Sequence, residues 1–325
     1  MRIRWTLVLA AVAVSSAAMV QAPRHMNPVV DLLAQKKAVF GLYAPANRRA
    51  GRGGAVPADA PPPKAPAELA KDGITNSNAD YLFDGSMEGD FDRGFGPFTE
   101  FMKGMSDAGM VKTAPAKQFN QPLFVKTHEI EPDAALANER IAKQLNLGVT
   151  GIVLVDVKTA EEAKKGIAAM RFKSKGGTRP DDVGNAPAVW GMSEAEYRQK
   201  ADLWPLNPNG ELVNFTIVES KEGLANVRDI AQVKGIGVLF PGAGTLRGVF
   251  STTDANGQRV LDEKAWEAAI QQVLAACKEF NVPCGYPANA NDIEMRIQQG
   301  FSVFIIGWGE PGFKAVEIGK KATGR

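Results

Sequence analysis

Between Asn214 and Phe250 the chain reads NFTIVESKEGLANVRDIAQVKGIGVLFPGAGTLRGVF. Two apolar runs flank a helical stretch, which makes this a strand, a helix and a second strand. Glu219 stands at the C-terminal tip of the first run, and Pro241-Gly242-Ala243-Gly244 closes the second. Barrels of alternating strands and helices carry their chemistry at strand C-termini. A carboxylate there is a candidate site residue, and a glycine-rich turn offers backbone N–H groups to an anion. Arg247, just past the turn, can meet an anionic substrate; an ordinary surface arginine is the alternative. Four further residues follow apolar runs in the same way: Asp84, Glu88, His128 and Asp156. As isolated residues each reads equally as a cap or a solvated group. His128 is one of 2 histidines, which leaves little material for a nucleophile–base triad, and no zinc-type cluster exists.

The elements that must position these residues recur along the chain. Candidate strands are Ala38–Tyr43, Tyr81–Asp84, Leu123–Lys126, Gly151–Val157, Asn214–Glu219, Gly237–Phe240, Pro283–Tyr286 and Val303–Trp308. Several are short, continuously apolar runs, as expected of strands buried on both faces of a parallel sheet. Helical patterns lie between them, at Pro132–Leu147, at Ala163–Met170 after a start signal at Thr159, at Leu261–Phe280 and at Asn289–Gly300. About eight strand–helix alternations match a (β/α)8 barrel. An open doubly wound sheet is the alternative, but its usual glycine fingerprint is replaced after the first strand by Ala44-Pro45-Ala46-Asn47. Two segments break the rhythm. Residues 47–67 are rich in Pro, Gly and Ala and read as a loop insertion after strand one, either a lid or a disordered excursion. Residues 173–212 are an extension carrying a short helix at Ser193–Leu203.

The composition is that of an ordinary globular chain: 325 residues, 45% hydrophobic, 23% charged, formal net charge +2. Nothing resembles the basic stripe of a nucleic-acid binder. The N-terminus has a basic start (Met1–Arg4), an apolar run (Trp5–Val14) and a small-residue end at Val20-Gln21-Ala22. That is the pattern of a secretory signal peptide, 1–22. It predicts a periplasmic or secreted mature chain, residues 23–325, in one barrel domain with no membrane span after cleavage. Cys277 falls in a helical pattern and Cys284 at the next strand, so two separate buried thiols are expected, with oxidation of the pair in an exported chain as the alternative.

Motif by motif, the chain resembles the HpcH/HpaI aldolase family, the pyruvate-type aldolases related to citrate lyase β subunits. Asn27-Pro28 followed by Val39-Phe40-Gly41-Leu42 is similar to the family's opening. Ala79–Asp84, Pro122–Lys126 and Gly148–Val153 with Thr159–Ala163 resemble its second, third and fourth strands. Arg171-Phe172 and Gly177-Thr178-Arg179 resemble its Arg-Tyr…Gly-x-Arg loop, and Phe301–Trp308 its last strand. Nearly the whole mature chain is covered, apart from the two insertions.

The resemblance implies a (β/α)8 barrel, a homo-oligomer, and cleavage or formation of a C–C bond in a small 2-oxo or hydroxy acid. It implies Mg²⁺ or Mn²⁺ held by a Glu and an Asp to stabilise an enolate, with an Arg on the developing charge and a His moving a proton. Glu219 matches the metal-ligand Glu, with Asp156 and Asp84 as nearby carboxylates that could complete the set. The Asp position is Gly244, the His position is Gly89 after Glu88, and the Arg position is Lys126. Lysine keeps the charge and loses the bidentate fork. The catalytic candidates are therefore Lys126, Glu88 and His128, and the substrate-binding candidates are Pro241, Gly242, Ala243, Gly244 and Arg247. The same substitutions leave open a diverged barrel that binds a small organic acid or runs another reaction.

Overall fold

The computed structural model describes residues 25–47 and 62–325. The expected leader 1–22 and most of the 47–67 insertion lie outside the described residues. All eight expected strands form: β1 (Val39–Tyr43), β2 (Tyr81–Asp84), β3 (Leu123–Lys126), β4 (Gly151–Leu154), β5 (Leu212–Val218), β6 (Val238–Pro241), β7 (Gly285–Pro287) and β8 (Val303–Ile306). Each pairs in parallel with the next, and β8 pairs with β1 in the register Val39 to Val303. Between β6 and β7 the ladder narrows to one parallel bridge, Leu239 to Cys284, with Leu239 N–H donating to Pro283 O at 3.0 Å. The circle is therefore closed, as a (β/α)8 barrel requires.

Successive side chains of a strand point to opposite faces, and the buried residues separate into two sets accordingly. Val39, Tyr81, Phe83, Phe124, Phe215 and Phe240 belong to an interior cluster. Their chain neighbours, such as Phe40, Leu82, Val125 and Leu239, pack outward against the helical layer. Large rings fill the interior because facing positions are empty. A Cβ on Gly41 would lie 2.1 Å from the Tyr81 ring, and one on Gly285 would lie 2.1 Å from the Phe240 ring. The Tyr81 hydroxyl, carried into this apolar space, donates to Phe304 O at 2.9 Å.

One end of the barrel is stoppered by the helix Pro28–Ala34, whose Val29, Val30 and Leu33 join the interior cluster. Asn27 caps it by accepting from Val29 N–H at 3.1 Å. Buried Glu211 fixes its approach by accepting from the N–H groups of Met26 (3.0 Å) and Asn27 (2.8 Å). The 173–212 extension gathers at the same end, because it precedes β5. Its helices are Ala186–Val189 and Glu194–Lys200, shorter than the expected Ser193–Leu203. Trp190 Nε1–H donates to Gly148 O at 2.8 Å, and the buried guanidinium of Arg179 stacks 4.2 Å over Phe172. At the other end, Asn47 and Lys64 exchange two 2.8 Å hydrogen bonds, which tie together the two ends of the 47–67 insertion.

The cysteines depart from expectation. Cys277 and Cys284 are joined as a disulfide, with Cα atoms 5.6 Å apart. Asn281, left-handed at φ 54°, turns the chain back at the end of the helix Glu263–Phe280. That reversal brings Cys284, the residue before β7, against the helix's last turn, which a reading of linear spacing missed.

Gly41→Val should cost about 1–3 kcal/mol, the usual penalty for overpacking. Urea unfolding would measure it, and an unchanged midpoint would contradict the proposed fit of Gly41 against Tyr81.

Candidate active site

The last inward position of each of five strands, inside the ladder at Tyr43 and Lys126 and one step past it at Gly85, Glu219 and Gly242, forms the rim of the mouth. Tyr43, Gly85, Lys126, Glu219 and Gly242 all fall on this register. Asp84 and Asp156 fall on the opposite one. The sequence-derived candidates therefore divide into a central group and a flanking group.

Glu219 is the centre. It is 7% exposed. Its Oε1 accepts from Asp156 N–H at 3.1 Å, and its carboxylate is also hydrogen-bonded by the side chain of Thr245. Burial pushes its carboxyl above the usual range, against those hydrogen bonds and the field of Lys126. Gly242 is a requirement of this arrangement, since a Cβ there would sit 2.3 Å from Glu219 Cβ and 2.4 Å from Oε2. The helix Ala243–Val249 begins beside it, so its first N–H groups have no intrahelical acceptor.

Lys126 ends β3 and donates from Nζ to Glu88 Oε1 at 2.8 Å. Its carbonyl accepts from Gln144 Nε2 at 3.0 Å, which fixes the backbone at the rim. Glu88 is held from behind by His128, whose Nδ1 lies 2.9 Å from the Glu88 carbonyl oxygen. A carbonyl only accepts, so Nδ1 carries the proton there. Tyr43 completes the group. Desolvation pushes its hydroxyl above the ordinary value, and it feels the charges of Lys126, Glu88, Glu219 and Asp84. Tyr43 and Thr245 were missed in the sequence; extending the period-2 pattern Val39, Gly41, Tyr43 by one step finds the tyrosine.

The flanking group is engaged elsewhere. Asp84 Oδ1 accepts from Ser86 N–H (2.9 Å) and Ser86 Oγ–H (2.6 Å). Asp156, left-handed at φ 42°, pairs through Oδ2 with Lys158 Nζ at 3.0 Å. That hydrogen bond is the first cause of the raised Lys158 pKa. Arg247 stacks 4.8 Å over Trp266, whose Nε1–H donates to Ala243 O at 2.9 Å. Pro241 is the last residue of β6. Beside the mouth lies a cavity of about 810 Å³ walled by Asp84, Glu88 and Arg93 and bordered by the Asn47 neck.

Residues 109–309 match the family described as HpcH/HpaI aldolase/citrate lyase. The chain belongs to this family. The 2-dehydro-3,6-dideoxy-6-sulfogluconate aldolase of Pseudomonas putida is 24% identical over 163 residues, 50% of this chain and 58% of that protein. The 5-keto-4-deoxy-D-glucarate aldolase of Salmonella gallinarum is 23% identical over 176 residues, 54% of this chain and 63% of that protein. Both matches span less than two thirds of the relative's length. A crystal structure of a family protein from Burkholderia cenocepacia superposes with a TM-score of 0.63 at 17% identity, over 86% of this chain and 92% of that one. The likeness supports the barrel.

The family resemblance implies a divalent metal clamped by Glu and Asp, and the donors at this mouth do not fit that clamp. Glu219 supplies one carboxylate, already hydrogen-bonded twice. Gly244 supplies none, and a Cβ built there meets no atom within 4 Å, so no neighbouring side chain reaches into the gap. Asp156, Asp84 and Glu88 are bonded to Lys158, Ser86 and Lys126 respectively. Among the described residues no group of three or more His, Cys, Asp or Glu is arranged for a metal. The Lys126 ammonium also opposes a second cation beside it.

Two measurements check this geometry. Gly244→Asp has room for its carboxylate and should tighten Mn²⁺ binding about tenfold or more over wild type by calorimetry; adding Glu219→Gln should remove the gain. Equal binding by wild type and Gly244→Asp would contradict the missing-ligand reading. The raised Glu219 carboxyl favours the folded state only while protonated, below its unfolded value near 4.5. That contribution is lost as pH rises through the raised folded value. Melting of Glu219→Gln should therefore gain on wild type as pH rises from below 4.5 towards neutrality, and a pH-independent difference would contradict it.

Proposed function

We propose that the chain is a carbon–carbon lyase of the aldolase type, acting on a small 2-oxo or hydroxy acid through an enolate. The observation that supports it is the juxtaposition of the Lys126 ammonium, buried Glu219 and the glycine-rich turn at one strand-end mouth. In this reading the acid's carboxylate lies on the free N–H groups at Ala243 and Gly244. Lys126 Nζ faces the oxo oxygen, where the enolate's negative charge develops. Glu219, biased by burial towards its protonated form, hydrogen-bonds the same oxygen. Glu88 accepts the proton of the substrate's hydroxyl as the C–C bond breaks, and the electron pair passes to the enolate. Proton return at carbon completes the cycle. His128 acts through Glu88 by holding its main chain. Because the donors do not fit the family clamp, no step here runs through a metal. Export by the 1–22 leader and assembly as a homo-oligomer belong to the same proposal.

A barrel that binds such an acid without turning it over is the second reading, favoured by the bare glycines at 89 and 244. Deuterium exchange into the methyl group of pyruvate, followed by NMR with chelator and then with added Mn²⁺, separates the two. Exchange should persist under chelation and fall about 100-fold in Lys126→Ala. No exchange under either condition would overturn the lyase reading, and saturable oxalate binding without exchange would establish the second.

A further inference from the structure

At the end of the barrel opposite the mouth lies a second cavity, of about 1040 Å³. Its wall comes from the segments that precede strands: the end of the stopper helix before β1, the stretch before β6, the helix end before β7, and Gly300 and Ser302 before β8. The apolar lining includes Leu33, Trp204, Leu206, Phe280 and Val282. Four lysines also line it, Lys36, Lys37, Lys234 and Lys278, and the lining contains no Asp or Glu. Their hydrogen-bond acceptors are neutral where present: Lys36 Nζ donates to Asn281 Oδ1 at 3.2 Å and Lys278 Nζ to Gln299 O at 2.6 Å. The nearest acidic neighbour in sequence, Glu279, is taken by Arg228 Nη2 at 2.5 Å. The Cys277–Cys284 disulfide is part of the wall and ties the helix end to the start of β7. The helix end carrying Lys278 and Phe280, and Val282 just after it, are thereby held in place.

We propose that this cavity is a second binding site for a small amphipathic anion, with an apolar body against Trp204, Leu206 and Phe280 and an acidic head among the four lysines. Charge complementarity argues for the anion: several uncompensated ammonium groups around a concave apolar lining favour a negative head over a cation or a neutral group. The size suits a drug-sized ligand. The strands between this cavity and the mouth run about 3.3 Å per residue, so an occupant here lies a full strand length from Lys126 and Glu219. It is a site separate from the reaction. Leu33 belongs both to the barrel's interior cluster and to this lining, so the occupant would also brace the stopper helix.

Calorimetry of the full chain with octanoate tests it, with octylamine and octyl glucoside as the cationic and neutral analogues of equal chain length. Octanoate should bind saturably at one site per chain, and saturating oxalate should not displace it. The combined variant Lys37→Glu, Lys234→Glu and Lys278→Glu should weaken binding about tenfold or more, while oxalate binding stays unchanged. All three lysines are exposed, and an unchanged melting temperature verifies folding; if the combination does not fold, Lys234→Ala and Lys278→Ala singly should each weaken octanoate. Absence of saturable binding, equal affinity for octylamine, equal affinity in the lysine variants, or displacement by oxalate would each overturn the proposal. So would retention on phosphatidylglycerol vesicles without binding of free octanoate, which would mark the lysines as a membrane-facing patch.

Discussion

Closing a parallel sheet into a barrel forces every second residue of every strand inward, and nearly everything else in this molecule follows from that constraint. The inward positions must fill a space too small for water and too enclosed for unpaired polar groups. They are filled by rings, Tyr81, Phe83, Phe124, Phe215 and Phe240, of which Tyr81 and Phe240 fit only because Gly41 and Gly285 have no side chain. The same alternation, carried to the end of β3 and one residue beyond β5, lifts Lys126 and Glu219 onto a shared rim. A register slip of one residue would turn both away from the mouth.

The rim is an electrostatic compromise. A carboxylate as buried as Glu219 loses hydration and is held by the Asp156 N–H, the Thr245 side chain and the field of Lys126. Lys126 in turn is held by Glu88, and Glu88 by the ring of His128. Each charge has its partner on a neighbouring strand end or loop, so the group exists only once those strands have paired. In a family whose implied clamp is two carboxylates on a dication, this chain places one carboxylate beside a fixed cation and leaves the second position bare. In the proposed reaction, that exchange moves the stabilisation of developing negative charge from a bound ion to the protein's own ammonium.

Much of this was legible in the sequence. The eight apolar runs are all strands, seven within a residue or two of their expected bounds and the fourth ending three residues early at Leu154, because doubly buried parallel strands must be continuously apolar. Glu219 and the Pro241–Gly244 turn were legible because strand-end carboxylates and tight glycine turns are local features. The cysteine pairing was not, since it depends on the left-handed turn at Asn281. Tyr43 and Thr245 were not, because neither residue type signals chemistry until its neighbours are known. Asp84 and Asp156 were legible only as nearby strand-end carboxylates, and they sit one residue out of the inward register.

The sequence by itself determined the alternation of strands and helices, the family, and the absence of a carboxylate at Gly244, because these are properties of residues in order. Only the tertiary structure decided which charges meet. Lys126 and Glu88 are 38 positions apart, Asp156 and Glu219 are 63 apart, and the lysines at the far end come from segments preceding three different strands. Proximity between such groups is set by the pairing of separate strands and the two-residue period of their side chains. Neither leaves a mark on any one segment of the chain.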